Sequence, residues 1–329
     1  MLTYLLRRGA MLLVSVVVIA VLTFMIIDLP PGDYVSTYIS NLQAQGVDVR
    51  QDEIAALKRR YGLDEPLYTR FVKWAWALLN GDYGMSFIWN RPVKELVGER
   101  MLLTVVISLS TLMFTWIVAL PIGIFSATNQ YSWPDYLVTT LSFIGRGIPE
   151  FMIALILMWL ALSRLGITAG GLFSVRYRDA PWGWGKVVDL LKHLWLPMVV
   201  LGLGSTAGLI RTMRANLLDE LHKPYVNTAR AKGLAERRLL WKYPVRVALN
   251  PFVSTVGWSL PGIVSGSQIV GIVLSLPISG PLLLQAVMSQ DTYLAASFLL
   301  FLSMLTLIGT FLSDMLLAWL DPRIRLGDT

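Results

Sequence analysis

Six apolar segments, separated by polar stretches, dominate the hydrophobic pattern of this chain of 329 residues. The first, Gly9 to Ile27, holds no charged residue and is long enough to cross about 30 Å of hydrocarbon as a helix. The other five lie at about 101–128, 136–162, 194–209, 252–276 and 292–317. The pattern therefore predicts an all-α membrane protein with six transmembrane helices.

A polar region at 28–100 follows the N-terminal transmembrane helix at 1–27. It predicts a helical insertion, with one helix opening at Asp52 and a second running from Pro66 to a stop near Gly81. Acidic residues at the start of the first helix and basic residues at its end suit the helix dipole. The remaining residues, 101–329, are predicted to form a five-helix membrane core.

Overall composition supports a membrane location. Hydrophobic residues make up 55% of the chain, only 15% are charged, and the mean hydropathy is +0.60. A net charge of +7 is compatible with nucleic-acid binding, but the basic excess lies mainly in one loop and is interpreted as topology. The chain has no cysteine, and His193 and His222 are far apart. We therefore expect no metal, no cofactor bound by this chain and no nucleic-acid partner.

That loop, residues 211–251, is named here the basic island. It holds nine Lys or Arg against three acidic residues and lies between the fourth and fifth apolar segments. The positive-inside rule places it in the cytoplasm, with both termini on the same side and residues 28–100 outside. Within it, Pro224 suits the first turn of a helix and Gly233 suits its end, which predicts a helix of about two to three turns. A loop held by anionic lipid is the alternative interpretation.

The run Tyr225–Leu234, YVNTARAKGL, resembles the coupling segment of bacterial ABC-importer permeases of the oligopeptide, dipeptide and nickel type. The resemblance covers nearly the whole chain, from the Pro-Gly-Asp element at Gly32, through Gly81-Asp-Tyr-Gly84, to Asp321-Pro-Arg-Ile-Arg325. It implies that the short helix docks on a separate ATPase. The residues that it assigns to ATPase coupling are Pro224, Tyr225, Thr228, Ala229, Arg230, Ala231, Lys232, Gly233 and Leu234.

The same resemblance implies the architecture of a type I ABC-importer permease in the bacterial inner membrane. Its partners would be a second homologous permease subunit, two ATP-binding cassette subunits and an extracytoplasmic substrate-binding protein received by the insertion. A lid that packs only on its own bundle is the alternative role for that insertion. The chain lacks a phosphate-binding Gly-x-x-x-x-Gly-Lys-Ser/Thr loop, so ATP and magnesium are expected in the partner subunits and the chain is not expected to be an enzyme.

Charged residues inside the third apolar segment are candidates for the translocation path. Arg146 and Glu150 are four positions apart, which predicts that they lie one helical turn apart and can pair with each other. Pro149 disturbs the helix beside them, and Gln268 is the most polar side chain of the fifth segment. A charge at mid-membrane costs about 2.5–3.5 kcal/mol and needs a partner, water or the protein interior. Contact with substrate and a purely structural ion pair are both open.

The resemblance implies an ATP-driven, binding-protein-dependent importer of peptides or of oligosaccharides and glycosides. A secondary transporter of small polar solutes is the alternative. Such a transporter would show an internal repeat with intramembrane charges in both halves, whereas mid-segment charges occur here only in the third segment. A membrane enzyme would need a nucleophile with its base or a set of metal ligands, and the sequence offers no convincing set.

Overall fold

The computed structural model describes residues 2–29, 32–46, 50–60, 62–166 and 170–320. Within these ranges the regular elements are helices, and the extended structure is one isolated bridge between Met85 and Pro92. The helices are α1 Leu2–Asp28, α2 Tyr34–Ala44, α3 Gln51–Arg60, α4 Leu67–Leu79, α5 Val93–Thr128, α6 Trp133–Gly147, α7 Glu150–Leu165, α8 Trp184–His193, α9 Trp195–Leu221, α10 Pro224–Ala231, α11 Glu236–Lys242, α12 Pro244–Ala248, α13 Asn250–Val273, α14 Ser279–Met288 and α15 Thr292–Leu320.

The all-α membrane fold predicted from the sequence is confirmed. In the described ranges four helices, α1, α5, α9 and α15, are long and apolar enough to cross a membrane, or up to five spans if the bent pair α6 and α7 counts as one. Helix α13 occupies the fifth predicted segment. The number six is therefore not established by length and composition, and the C-terminal element Asp321–Arg325 lies outside the described residues.

The prediction of one continuous third span is wrong. Helices α6 and α7 meet at an angle of 103°, with Ile148 and Pro149 between them. Proline has no N–H to donate and disfavours helical geometry at the residue before it, and Ile148 is accordingly extended at φ −95° and ψ 127°. Arg146 and Glu150 therefore lie in different helices, and the described part of the chain shows no ion pair between them.

Several helix boundaries differ from the sequence-based expectation. The two helices expected in the insertion are present as α3 and α4, but α2 precedes them, with Asp33 accepting a hydrogen bond from the Ser36 amide at its N-terminus. The stretch between the third and fourth predicted segments contains most of α8, and the second span begins earlier than predicted, at Val93. Helices α2 and α8 are short and lack a strong apolar pattern, which is why these two were missed.

The described chain divides into two compact units. Among the described residues, the first comprises 2–6, those within Val105–Leu276, and 308–320. Its centre is α9, which packs against α6, α7, α12 and α13. Gly123 of α5 allows a close approach to α9, because a Cβ there would lie 2.7 Å from the Cβ of Met213. Buried side chains around this contact, including Leu217 and Phe252, form the core of the unit.

The second unit comprises Arg7–Thr104 and Pro277–Leu307, so it joins the whole predicted insertion to parts of α1, α5 and α15 and to α14. Phe24 and Trp74 pack together in its core. A half-buried ion pair between Arg70 and Asp28 links α4 to the end of α1 at 2.9 Å. Residues from both ends of the sequence therefore contribute to one core.

Candidate functional site

The short helix predicted in the basic island is present as α10, from Pro224 to Ala231. Pro224 occupies the first turn, where its missing N–H leaves no hydrogen bond unmade. Gly233 has φ +81°, the left-handed conformation that favours glycine, and its amide bonds to the carbonyl of Arg230. The Leu234 amide then bonds to the carbonyl of Ala229. Both sequence-derived ends of the helix are confirmed.

One face of α10 is buried against the helix that follows it. Val226 and Ala229, three positions apart, are 0% and 8% exposed and pack on the fully buried Leu239 of α11. Leu234 and Tyr243 close the sides of this small cluster. Because α12 in turn packs on α9, α10 is attached to a membrane helix through a continuous series of packed side chains.

The opposite face of α10 is exposed and polar. Of the nine residues assigned to coupling, Ala229 and Leu234 are turned inward, whereas the others, Pro224, Tyr225, Thr228, Arg230, Ala231, Lys232 and Gly233, are exposed. The arrangement is an anchored helix with an exposed polar surface.

Two local contacts fix the side chains on this exposed face. The Tyr225 hydroxyl donates a hydrogen bond to Glu220, and burial together with that carboxylate raises the pKa of the phenol, so it stays protonated. Arg230 pairs with Glu236 across the turn after α10. This contact raises the pKa of Arg230 and lowers the pKa of Glu236. Both side chains remain charged at neutral pH.

The predicted path residues lie near the bend between α6 and α7, with one exception. The Arg146 guanidinium lies against α9 at Gly208, where a Cβ would be 3.1 Å from its Nη1. Glu150 opens α7 directly after Pro149. Gln268 is half-buried on α13, and within the described residues no hydrogen bond joins it to Arg146 or Glu150.

Arg211 is a further candidate for the translocation path, and it lies where α6 packs against α9. The sequence pattern assigns it to the basic island. Helix α9 continues to Leu221, so Arg211 lies within a candidate membrane span. Its guanidinium carbon is 4.9 Å from the centroid of the Phe143 ring on α6, and its Nε is buried with no hydrogen-bond partner in the described structure. The sequence signal for Arg211 was its charge next to an apolar segment. Its position in the sequence groups it with the basic residues that follow it.

Comparison with known proteins identifies the family. Residues 119–326 match the family model described as binding-protein-dependent transport system inner membrane component, and residues 1–110 match the N-terminal model of such membrane components. The oligopeptide transport system permease protein AppB of Bacillus subtilis is 32% identical over 327 residues, covering 99% of this chain and 100% of AppB. The glutathione transport system permease protein GsiC of Salmonella paratyphi A is 30% identical, covering 99% of each chain.

A solved structure supports the same fold. The inward-facing MetNI methionine ABC transporter matches 69% of this chain and 96% of its own chain with a TM-score of 0.54 at 17% identity, which shows a similar fold alone. The family models and the full-length relatives go further. The chain belongs to the family of binding-protein-dependent transport system inner membrane components and is a permease component of an ABC importer.

Proposed function

We propose that this chain is one of two permease subunits of an ATP-driven importer of peptides. The relatives named for oligopeptide and glutathione transport favour peptides over the oligosaccharides that the sequence left open. Family membership replaces the secondary transporter as the working mechanism. The observation that carries the proposal is α10, a helix with a buried anchoring face and an exposed polar face.

Coupling proceeds through α10 in this proposal. Two ATP-binding cassette subunits bind ATP and magnesium, and one of them receives the exposed face of α10 in a groove. When the ATPases close, α10 moves with its subunit, and its packing on α11 transmits that displacement to α12 and α9. Because packed side chains resist compression, a short displacement becomes a tilt of the membrane helices. A second homologous permease subunit contributes the other half of the path.

Arg146, Pro149, Glu150 and Gln268 line the translocation path in this proposal, with Arg211 beside them. Irregular backbone at membrane depth is tolerated where it is buried in protein or lines a water-filled cavity, and the bend at Pro149 is such a break. Ionisable side chains within membrane segments mark substrate pathways because a charge is costly in hydrocarbon and needs water or a partner. Peptides carry an ammonium and a carboxylate, so a path with both an arginine and a glutamate complements their two ends.

The proposal also fixes the orientation. The part of the basic island that follows α9 lies in the cytoplasm with both termini, and the outer part of the second unit, including α2, α3 and α4, receives the extracytoplasmic substrate-binding protein. Large exposed side chains on that part, among them Tyr68 at 73% and Trp76 at 70%, provide apolar area for such a contact.

Purification of the intact complex through a tag on this chain tests the function. We expect a separate ATPase and a second permease to copurify, and ATP hydrolysis in liposomes to rise when peptide-loaded binding protein is added. The same binding protein loaded with an oligosaccharide serves as the comparison. Recovery of the chain without an ATPase would contradict the importer, and stimulation by the oligosaccharide alone would contradict the peptide substrate.

A further inference from the structure

A long apolar groove lies between the second half of α5 and the pair α11 and α12, with a volume of about 680 Å³. Residues of α5 from Met113 to Thr128 line one wall of the groove. They are spaced three or four positions apart along the helix, which places them on one face of it. Trp241, Val245 and Leu249 line the other wall at intervals of four. Thr128 is the polar exception in an otherwise hydrophobic lining.

The floor of the groove is part of the folded core, and its rim is open. Ile124 and Val245 are 8% and 2% exposed and belong to the buried cluster around α9. Met113, Ile117 and Trp241 are instead 60%, 66% and 58% exposed. The groove is therefore a fixed feature of the first unit with an accessible opening.

The groove is long enough to hold an extended hydrocarbon chain. The lining of α5 extends over about 22 Å at 1.5 Å per residue, which exceeds half of the ~30 Å hydrocarbon layer. Apart from Thr128, aliphatic and aromatic side chains line it, and these match the chemistry of an acyl chain.

Four exposed cations lie on the helices that form the second wall. Arg237, Arg238 and Lys242 lie on α11, and Arg246 lies on α12 next to the lining residue Val245. The acidic residue of these helices, Glu236, is already paired with Arg230. In the described part of the chain these four cations have no carboxylate partner. The wall formed by α11 and α12 is thus rich in uncompensated positive charge.

We infer that the groove binds one anionic phospholipid, with an acyl chain along α5 and the headgroup at the cations of α11 and α12. Basic pockets on the cytoplasmic side of membrane helices recognise anionic headgroups, and a tryptophan such as Trp241 suits the level of the headgroups. The inference uses the cytoplasmic orientation of the basic island given under the proposed function. It does not depend on which substrate the importer carries.

Lipid retention by the purified complex tests this inference. The complex, with its partner subunits, is reconstituted into equal amounts of phosphatidylglycerol and phosphatidylcholine, extracted in mild detergent, and weighed by native mass spectrometry. We expect retained phosphatidylglycerol and little phosphatidylcholine. Replacing both Lys242→Gln and Arg246→Gln should lower retained phosphatidylglycerol at least about fivefold, as expected for the loss of two surface cations. Ile117→Trp, which narrows the groove, should lower it as well.

Matched controls separate the groove from general effects. Arg164→Gln with Lys192→Gln removes the same charge from exposed residues of the same unit away from the groove, and Leu109→Trp enlarges an exposed residue of α5 outside it. Both should retain the lipid as the wild type does. Equal retention of the two lipids by the wild type, or unchanged retention by the double cation variant, would overturn the inference. So would loss of the second permease from the Ile117→Trp complex with lipid retention unchanged, because the groove would then be a protein interface.

This readout is independent of transport. If peptides fail to stimulate hydrolysis but the lipid pattern holds, the substrate assignment is wrong and the lipid site stands. If stimulation is normal but retention does not discriminate between the lipids, the lipid site is wrong and the importer stands.

Discussion

Arg214 of α9 holds Asp135 of α6 through two parallel hydrogen bonds, from Nε to Oδ1 and from Nη2 to Oδ2, each 2.8 Å long. The Asp135 carboxylate also accepts hydrogen bonds from the Ser126 hydroxyl and, at 2.9 Å, from the Tyr131 amide. The turn between α5 and α6 carries no Lys or Arg of its own, and α9 supplies its positive charge. The Asp135 carboxylate thus joins α5, α6 and α9 of the first unit.

Breaking this pair should destabilise the first unit. Asp135 is 2% exposed at its side chain, so Arg214→Gln would leave a buried carboxylate without its cation, at a cost of about 3 kcal/mol. Unfolding of the purified chain in detergent, followed by denaturant titration, measures this. Arg214→Gln combined with Asp135→Asn should recover part of the loss, since a neutral pair is tolerated better than a single charge. A double variant less stable than the single one would contradict this account.

Asp291 should give the second unit a pH-dependent stability. It precedes α15, and its Oδ2 accepts hydrogen bonds from the Ser86 hydroxyl at 2.6 Å and the Phe87 amide at 2.8 Å. Burial raises the pKa of Asp291 above the ordinary value of 3.8, although these bonds oppose the rise. A raised folded pKa means that the native state binds the proton more tightly. The stability contributed by protonation is therefore complete below the unfolded pKa and is lost as pH rises through the folded pKa.

Comparison of wild type with Asp291→Asn checks the direction of this pH dependence. We expect stability of the wild type to fall as pH rises from about 4, and the slope to be smaller in Asp291→Asn. Asp291→Ala should cost about 1–3 kcal/mol at all pH values, because it leaves buried donors unpaired. Asp52→Asn, at an exposed residue of the same unit, is the control. Identical slopes in wild type and Asp291→Asn would refute the assignment.

Charge reversal on the exposed face of α10 should uncouple transport. Arg230→Glu is expected to reduce peptide-stimulated ATPase activity on the order of tenfold while the chain still inserts, since it places a like charge where the ATPase is proposed to bind. Glu236→Gln removes the internal partner of Arg230 but keeps the surface cation, so it should retain stimulation. The swap of Arg230→Glu with Glu236→Arg restores the internal pair and should remain uncoupled. Full stimulation in the swap would exclude Arg230 from docking.

Gly233→Pro tests the end of the same helix. Gly233 adopts φ +81° and donates its amide to Arg230, and proline can do neither. We expect normal assembly of the two permease subunits with loss of ATPase stimulation. Stimulation at the wild-type level in an intact complex would show that the geometry of this turn is not needed for coupling.

The proposed orientation predicts which cysteines an impermeant maleimide reaches. The chain has no native cysteine, and both Ser40 and Ala235 are exposed. In intact cells, Ser40→Cys should react and Ala235→Cys should react only after the membrane is permeabilised. The opposite pattern would reverse the topology and with it the cytoplasmic position of α10.

Substitutions at Arg146 and Glu150 test the translocation path. Because the bend separates the two residues, Arg146→Met and Glu150→Gln should each lower uptake on the order of tenfold, equivalent to about 1.4 kcal/mol, and the double variant should be no better than either. Arg164→Met, at the far end of α7, is the control. Uptake is normalised to assembled complex. Full transport by the double variant would exclude both residues from the path.

The sequence determined those features of the fold that depend on residues close together in the chain. Long apolar runs specify membrane helices because unpaired backbone groups are costly in hydrocarbon, so α1, α5, α9 and α15 were predictable. A first-turn proline and a terminal glycine act within one helix, so both ends of α10 were predictable from Pro224 and Gly233. The same short stretch carried the family resemblance that the comparisons confirm.

Contacts between residues distant in sequence were decided only by the tertiary structure. Asp135 and Arg214 are 79 positions apart, and Ser86 and Asp291 are 205 apart, so no local pattern joins them. The bend at Pro149 depends on whether neighbouring helices restore the lost hydrogen bonds, which the sequence alone does not specify. The apolar groove likewise needs α11 and α12 to fold back along α5. Sequence determined which segments are apolar enough to enter the membrane, and packing determined which distant polar residues meet.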